Sequence, residues 1–392
     1  MGRRRSKIPV IPAAPDPAAN KLNRLAPTTL TTREGTIRMY AIRFYRIFDI
    51  GEEIDLEKLE QSLAASMATS RFRFQRVRPT SIIVDQPPLL IRLQGMTIDT
   101  VRGPLSLAAM ARIYEFGAFS ICLRLEEMEA PARMLHEVAL SFAGQEGLSR
   151  YFDQALAELR SILAVHLGTR PLDPDFYDDY TIYLADRQDP GIDPVAVLLG
   201  EEAEFSPEIR KETLQFSFSY YPDEKAILSW GGAVIFSPKP PVDLLELIEF
   251  AAVQVLELRF YDRELTRQMD RMYDDIENAD RQWWIYRAVH YRKLMKQLMG
   301  EQAEVSEIVE DINNLIKVTD DIYYARVYAA ALQALRSGSW SQSVNHKLAT
   351  IRETYRMLSE EVNVQHAHFL EWIVIVLIAL EIVLFTLPLV PH

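Results

Sequence analysis

The sequence predicts an α+β protein whose mixed body is followed by a long, coiled-coil-like helical hairpin leading into a single transmembrane helix. Three observations carry this. Before Pro240, strand-like and helix-like runs succeed one another without regular alternation, which disfavours a doubly wound fold. After it, apolar residues recur at spacings of four and three. Finally, FLEWIVIVLIALEIVLFTL, from Phe369 to Leu387, holds only two charges. The expected divisions are a basic Pro-rich arm (1–35), the body (36–240) and a helical segment (241–300). An antiparallel hairpin (301–368), the membrane span (369–387) and a short tail (388–392) follow.

The arm holds Arg3, Arg4, Arg5 and Lys7 among Pro9, Pro12, Pro15, Pro17 and Pro27. Closely spaced prolines remove helix hydrogen bonds, so it reads as a disordered, solvated arm. No apolar core follows the arginines, as a secretory signal would need, and the prolines spoil the amphipathic helix of a mitochondrial transit peptide.

In the body, TIRMYAIRFYRIFDI alternates and reads as a strand, and DLEKLEQSLAASM as a helix capped by Asp55. RFRFQRV, SIIV and PLLIRL are short strands broken by Pro79, Pro87 and Pro88. RIYEFGAFSICLRLE reads as a hairpin about Gly117. The helices PARMLHEVALSFAG and YFDQALAELRSILAVHL come next, then the strands TIYLA, TLQFSFSYY and AILSWGGAVIFS, with Pro222 and Asp223 turning the last two. Gly231 and Gly232 inside that last run imply a bulge or a close backbone contact. Long helical runs begin at Val242.

The search for chemistry finds no P-loop, no dinucleotide-binding glycine run, no HExxH and no GxSxG. Cys122, the only cysteine, excludes an internal disulfide or a cysteine-based zinc site and reads as a small core residue. His366 and His368 point to different helix faces and chelate poorly together. The acid pairs Asp178-Asp179, Asp274-Asp275 and Asp320-Asp321 read as surface charge, and would hold a divalent cation only with further ligands from elsewhere. The expected inventory is therefore no catalytic, cofactor-binding or metal-ligating residue and no cofactor. A formal net charge of −12 disfavours nucleic acid as a direct partner, since phosphate neutralisation needs a basic surface. The acid-rich stretch from Asp173 to Glu208 suggests a face that meets basic partners.

The C-terminal third is more informative. Val344, Leu348, Ile351, Tyr355, Leu358 and Val362 form an a/d stripe, which continues in phase through Phe369, Trp372, Val376, Ala379 and Val383. One helix from about Ser341 to Leu387 is the simplest reading. A second stripe, Val305, Ile308, Ile312 and Leu315, precedes the turn expected at Ser337 to Ser339. Before it, Trp283 and Trp284 mix with Arg292, Lys293 and Lys296: either a helix at a membrane interface or a packed helix with a basic solvent face. The run from Phe369 matches the thickness of a bilayer core, with Trp372 near its start. Lys347, Arg352 and Arg356 precede it and no cation follows, so the body is expected on the cytoplasmic or matrix side. Glu371 lies at the entrance; Glu381, deeper, either packs between helices or snorkels outward.

VTDDIYYARVYAAALQ, KLATIRETYRML and FLEWIVIVLIALEIV, with Leu370, Glu371, Ile378 and Glu381 in place, resemble the "required for meiotic nuclear division" (YagE-type) family over the last third. In the body, Phe116-Gly117 corresponds to that family's hairpin, whereas its tryptophan-rich strand is absent. The resemblance implies a membrane-anchored protein without established catalysis, supporting translation at a bacterial or mitochondrial inner membrane. The expected function is a non-enzymatic, tail-anchored scaffold. It would contact the lipid bilayer, form a homo-oligomer and present its body to a protein partner, in this reading a ribosome-associated one. The alternative is a membrane-tethered, metal-dependent enzyme with its site in the body.

Overall fold

The structure, a computed structural model, describes residues 36–37, 40–50, 53–66, 74–76, 87–100, 103–125, 130–164, 172–279, 296 and 321–386. Its strands are β1 (Thr36–Ile37), β2 (Tyr40–Asp49), β3 (Phe74–Arg76), β4 (Leu89–Arg92), β5 (Met96–Thr100), β6 (Gly103–Ile113), β7 (Ala118–Leu125), β8 (Ala130–Pro131), β9 (Tyr177–Ala185), β10 (Phe216–Phe218), β11 (Lys225–Leu228) and β12 (Gly232–Phe236). The helices are α1 (Leu56–Ser66), α2 (Ala132–Ser141), α3 (Ser149–Leu163), α4 (Pro194–Leu199), α5 (Pro207–Thr213), α6 (Val242–Ala279), α7 (Ile322–Ala334) and α8 (Ser337–Thr386). The fold is mixed α+β.

One sheet dominates, in the order β10-β11-β12-β9-β2-β7-β6-β4-β3, with β5 paired to β6 beside that path. Only β12 and β9 run parallel; the other pairs are antiparallel. Strand β2 shows why both faces are covered. Its Ile42, Phe44 and Phe48 enter an apolar core with Phe119, Ile121 and Leu123 of β7, closed by Leu56 and Leu59 of α1, Leu135 of α2 and Phe152 of α3. Successive residues of a strand point to opposite faces, so Arg43 and Tyr45 stand on the other face.

Local signals start and stop these elements. Asp55 Oδ1 accepts from the Lys58 amide at 3.0 Å just ahead of α1. Gly117, at φ +94°, turns β6 into β7. Between α2 and α3 the chain passes through Gly144 and Gln145 at φ +61° and +57°. The buried Gln145 Nε2 donates to the carbonyls of Tyr45 and Tyr180 at 3.1 and 3.3 Å, and to Thr181 Oγ1 at 3.2 Å, tying β2 to β9. The run AILSWGGAVIFS is two strands, β11 and β12, separated at Ser229–Gly231, rather than one. Its glycine does mark a close approach: a Cβ on Gly232 would stand 2.5 Å from the Thr181 carbonyl oxygen. SIIV lies outside the described residues.

Asp193 caps α4, accepting from the Val195 amide at 3.0 Å, and grips the Arg210 guanidinium at 2.6 and 3.2 Å. Partial burial opposes the charge, but the Arg210 hydrogen bonds outweigh it and hold the carboxyl below its usual range. A depressed carboxylate pKa stabilises above the unfolded value and is lost as pH falls through the folded one. Parent protein should therefore lose stability on acidification from about pH 5 to about pH 3 more steeply than Asp193→Asn, as read by urea unfolding. Parallel curves would remove the assignment.

The described residues fall into two compact units. The first ends at Val253 and includes α7; the second starts at Gln254 and includes α8. Within the second, Lys347 Nζ of α8 donates to Asp262 Oδ1 and Thr266 Oγ1 of α6, both at 2.7 Å, and Ser343 Oγ donates to Asp262 Oδ1 at 2.6 Å. Val344, Leu348, Ile351 and Tyr355 are buried along α8. The turn expected at Ser337 to Ser339 falls earlier, because Arg336 at φ +57° supplies the left-handed residue that a reversal needs. Ser337 already opens α8.

The membrane expectation is overturned. Among the described residues, no helix is long and apolar enough to cross a membrane. The physical reason is the bracketing of the apolar run by Glu371 and Glu381. The uncharged stretch Trp372–Leu380 rises only about 13 Å, against a hydrocarbon core of roughly 30 Å. The single-pass anchor, the tail-anchored topology and the body placement derived from it are withdrawn together.

Candidate functional site

The second face of the sheet carries a charged layer that packs against the first turns of α6. Cross-strand register sets its rows: Arg43 faces Arg124, Tyr45 faces Cys122, Met110 faces Cys122, and Arg112 faces Ser120. From α6, Glu246 and Glu249 descend three residues apart, so both reach this face. Arg112 donates to Glu249 Oε2 at 2.9 Å and to Glu246 Oε1 at 3.0 Å. The Ser120 hydroxyl donates to the remaining oxygen of Glu249 in a short hydrogen bond. Phe250, stacked on Tyr328 of α7 at 6.3 Å and tilted against Tyr114 at 6.0 Å, closes the layer on one side.

Burial governs the ionisation of this layer. It pushes the Cys122 thiol up to about 12 and lifts the Tyr45 and Tyr114 hydroxyls well above their ordinary values. Burial also raises the Glu246 carboxyl, with Arg112 opposing. The thiol and phenols are thus held protonated, and a thiolate is the form in which cysteine attacks. The layer contains three guanidinium groups against two carboxylates, an arrangement suited to holding an anion rather than to generating a nucleophile.

The residues singled out from sequence stand elsewhere. Leu348, Ile351 and Tyr355 are buried, while the side chains of Leu358 and Val362 lie outside the described residues. So do Trp283, Trp284, Arg292 and Lys293; Lys296 is an exposed helical residue. Glu371, Trp372 and Glu381 are exposed on the distal part of α8. Around them Leu370, Ile373, Val374, Ile375, Val376, Leu377, Ile378, Leu380, Ile382 and Val383 are 40–58% exposed, so the helix is apolar on nearly every side and uncovered.

Asp178 and Asp179 are consecutive on β9 and so point to opposite faces. Asp179 pairs with Arg46 at 3.0 Å, and the Arg46 guanidinium stacks between Phe152 and Tyr177 at 4.4 and 4.2 Å. Asp321 caps α7 through the Tyr323 and Tyr324 amides. Among the described residues no three His, Cys, Asp or Glu side chains gather as a metal site.

The charged layer was missed in the sequence because Arg43, Arg112 and Arg124 lie on three different strands, and nothing local says that these strands share a sheet face. One signal existed: arginines at inward phase in strands otherwise read as covered.

A family model described as "Uncharacterized protein MJ0711, N-terminal domain" matches residues 39–241. The chain belongs to this family. The MJ0711 domain thus spans β2 to β12 and carries Arg43, Arg112 and Arg124 of the charged layer, with Glu246 and Glu249 just beyond it. The curated "Uncharacterized protein MJ0711" of Methanocaldococcus jannaschii is 25% identical over 242 residues, 59% of this chain and 70% of that protein. No solved structure matches.

Membership corrects the resemblance to the "required for meiotic nuclear division" family. That likeness rested on a terminal apolar helix with spaced glutamates, a pattern that helix periodicity imposes on many unrelated chains. The expectation of support for translation at a membrane, which the resemblance alone supplied, falls with it.

Proposed function

We propose that this protein is a non-enzymatic scaffold whose copies gather through the distal part of α8 and so display several α+β bodies. The observation that carries the reading is the uncovered apolar surface from Leu370 to Val383. A helix apolar all round belongs in an interior, and contiguous apolar patches of this extent mark interaction sites.

Further copies of the same helix are the occupant that best suits the charges. Trp372, Val376, Ala379 and Val383 continue the a/d stripe whose first residues, Val344 to Tyr355, are buried. At about 100° per residue, Glu381 lies nearly opposite the centre of that stripe and Glu371 well to its side. A bundle seamed on the stripe therefore buries the stripe's apolar side chains and leaves both carboxylates in water.

Sedimentation of the full chain tests this. The parent is expected to be a discrete oligomer, and Val376→Glu with Ala379→Glu should lower the mass to that of one chain. Glu381→Gln should leave the oligomer unchanged. A monomeric parent would refute self-association, and an oligomer that survives the double substitution would place the seam elsewhere.

A further inference from the structure

Arg43 and Arg124 stand directly opposite each other across the β2–β7 pair, so both guanidinium groups leave the same face of the sheet. Their row offers no acid to either of them. Ile182 of β9 is the neighbour beyond Arg43, and Ala108 of β6 the neighbour beyond Arg124. The Nε of each is buried without an acceptor, and among the described residues neither forms an ion pair. Glu249, whose charge Arg43 feels, is already engaged by Arg112 and Ser120. One row along, the fully buried Tyr45 hydroxyl sits beside Arg43 and Cys122 with no acceptor for its own proton within hydrogen-bond distance.

Like charges directly opposite on neighbouring strands repel, and partial burial removes the water that would screen them. Two planar forks on adjacent strands match the paired oxygens of an oxyanion, and charge-assisted bonds of this kind are the strong ones. Both side chains keep part of their surface open to solvent. We propose that Arg43 and Arg124, with the Tyr45 hydroxyl as a third donor, form a binding site for a small oxyanion, a phosphoryl or carboxylate group. The site belongs to the α+β body and does not depend on how copies assemble.

Thermal unfolding of the full chain at fixed ionic strength provides the test, with inorganic phosphate and succinate titrated separately against a chloride control. One of the two is expected to raise Tm saturably, and which one does identifies the chemical source of the group. Arg43→Gln and Arg124→Gln should each weaken the apparent affinity at least tenfold. In chloride alone, each variant should be at least as stable as the parent, because it removes a repulsion. A response equal to that in chloride, or one retained in both variants, would overturn the site. So would variants that unfold more readily in chloride, since that outcome makes the pair purely structural.

Discussion

Arg112→Met is expected to destabilise the body by about 3–5 kcal/mol, the cost of leaving buried charge uncompensated. Arg112 is the one cation bonded to both Glu246 and Glu249, whose side chains are only 9% and 6% exposed. Without it two carboxylates three residues apart on α6 would share a pocket with no compensating bond beyond the Ser120 hydroxyl. Protonation of Glu246 would relieve the clash, so the loss should shrink as pH falls. Burial already lifts the Glu246 carboxyl, and a raised carboxylate pKa makes stability fall as pH climbs through the folded value. Removing Arg112 widens that window upward. Replacing the group together (Arg112→Met, Glu246→Leu, Glu249→Leu, Ser120→Ala) should recover most of the loss, since well-packed apolar isosteres of buried ion pairs are often neutral or stabilising. Denaturant unfolding of both variants decides it. A single substitution costing under about 1 kcal/mol would mean the pairs behave as solvated surface bridges.

Gly232→Ala should cost about 1–3 kcal/mol, the usual range for overpacking a closed site, and the contact it creates leaves little room to relax. The added methyl carbon would meet the Thr181 carbonyl oxygen at 2.5 Å and the Thr181 carbonyl carbon at 3.5 Å, both backbone atoms. Backbone in the middle of a sheet does not swing aside as a flexible side chain does. The contact lies where β12 joins β9 in parallel, next to the bond from the Thr181 amide to the Gly231 carbonyl at 3.1 Å. Gly231→Ala is the matched control, because a Cβ there meets nothing within 4 Å. It should unfold at nearly the parent temperature. Equal melting of the two variants would show that the strand pair yields.

Much of the body was legible because its elements obey local rules. The alternation of TIRMYAIRFYRIFDI yields β2, Asp55 opens α1, and Gly117 turns the β6–β7 hairpin. The close approach at Gly232 was legible too, since glycine in a strand pattern signals close backbone. What escaped was everything set by pairing between distant segments. No local pattern announces that Arg43 will face Arg124, or that Glu246 and Glu249 will descend on Arg112. Those neighbours are more than 80 residues apart in the chain and meet only through sheet order. The distal run of α8 misled for the opposite reason. Its hydropathy is local and strong, yet only Trp372–Leu380 between Glu371 and Glu381 is free of charge.

Among the described residues the strand path ends on one side in β10, only three residues long. If copies gather as proposed, their bodies would meet at the effective concentrations, up to about the millimolar range, that linkage brings. Long flat edges at that density would zip sheet to sheet into fibres, whereas a three-residue edge such as β10 offers too few free amides and carbonyls to template a neighbour. Brevity at the β10 edge would thus help a crowded cluster of such sheets to remain a set of separate modules.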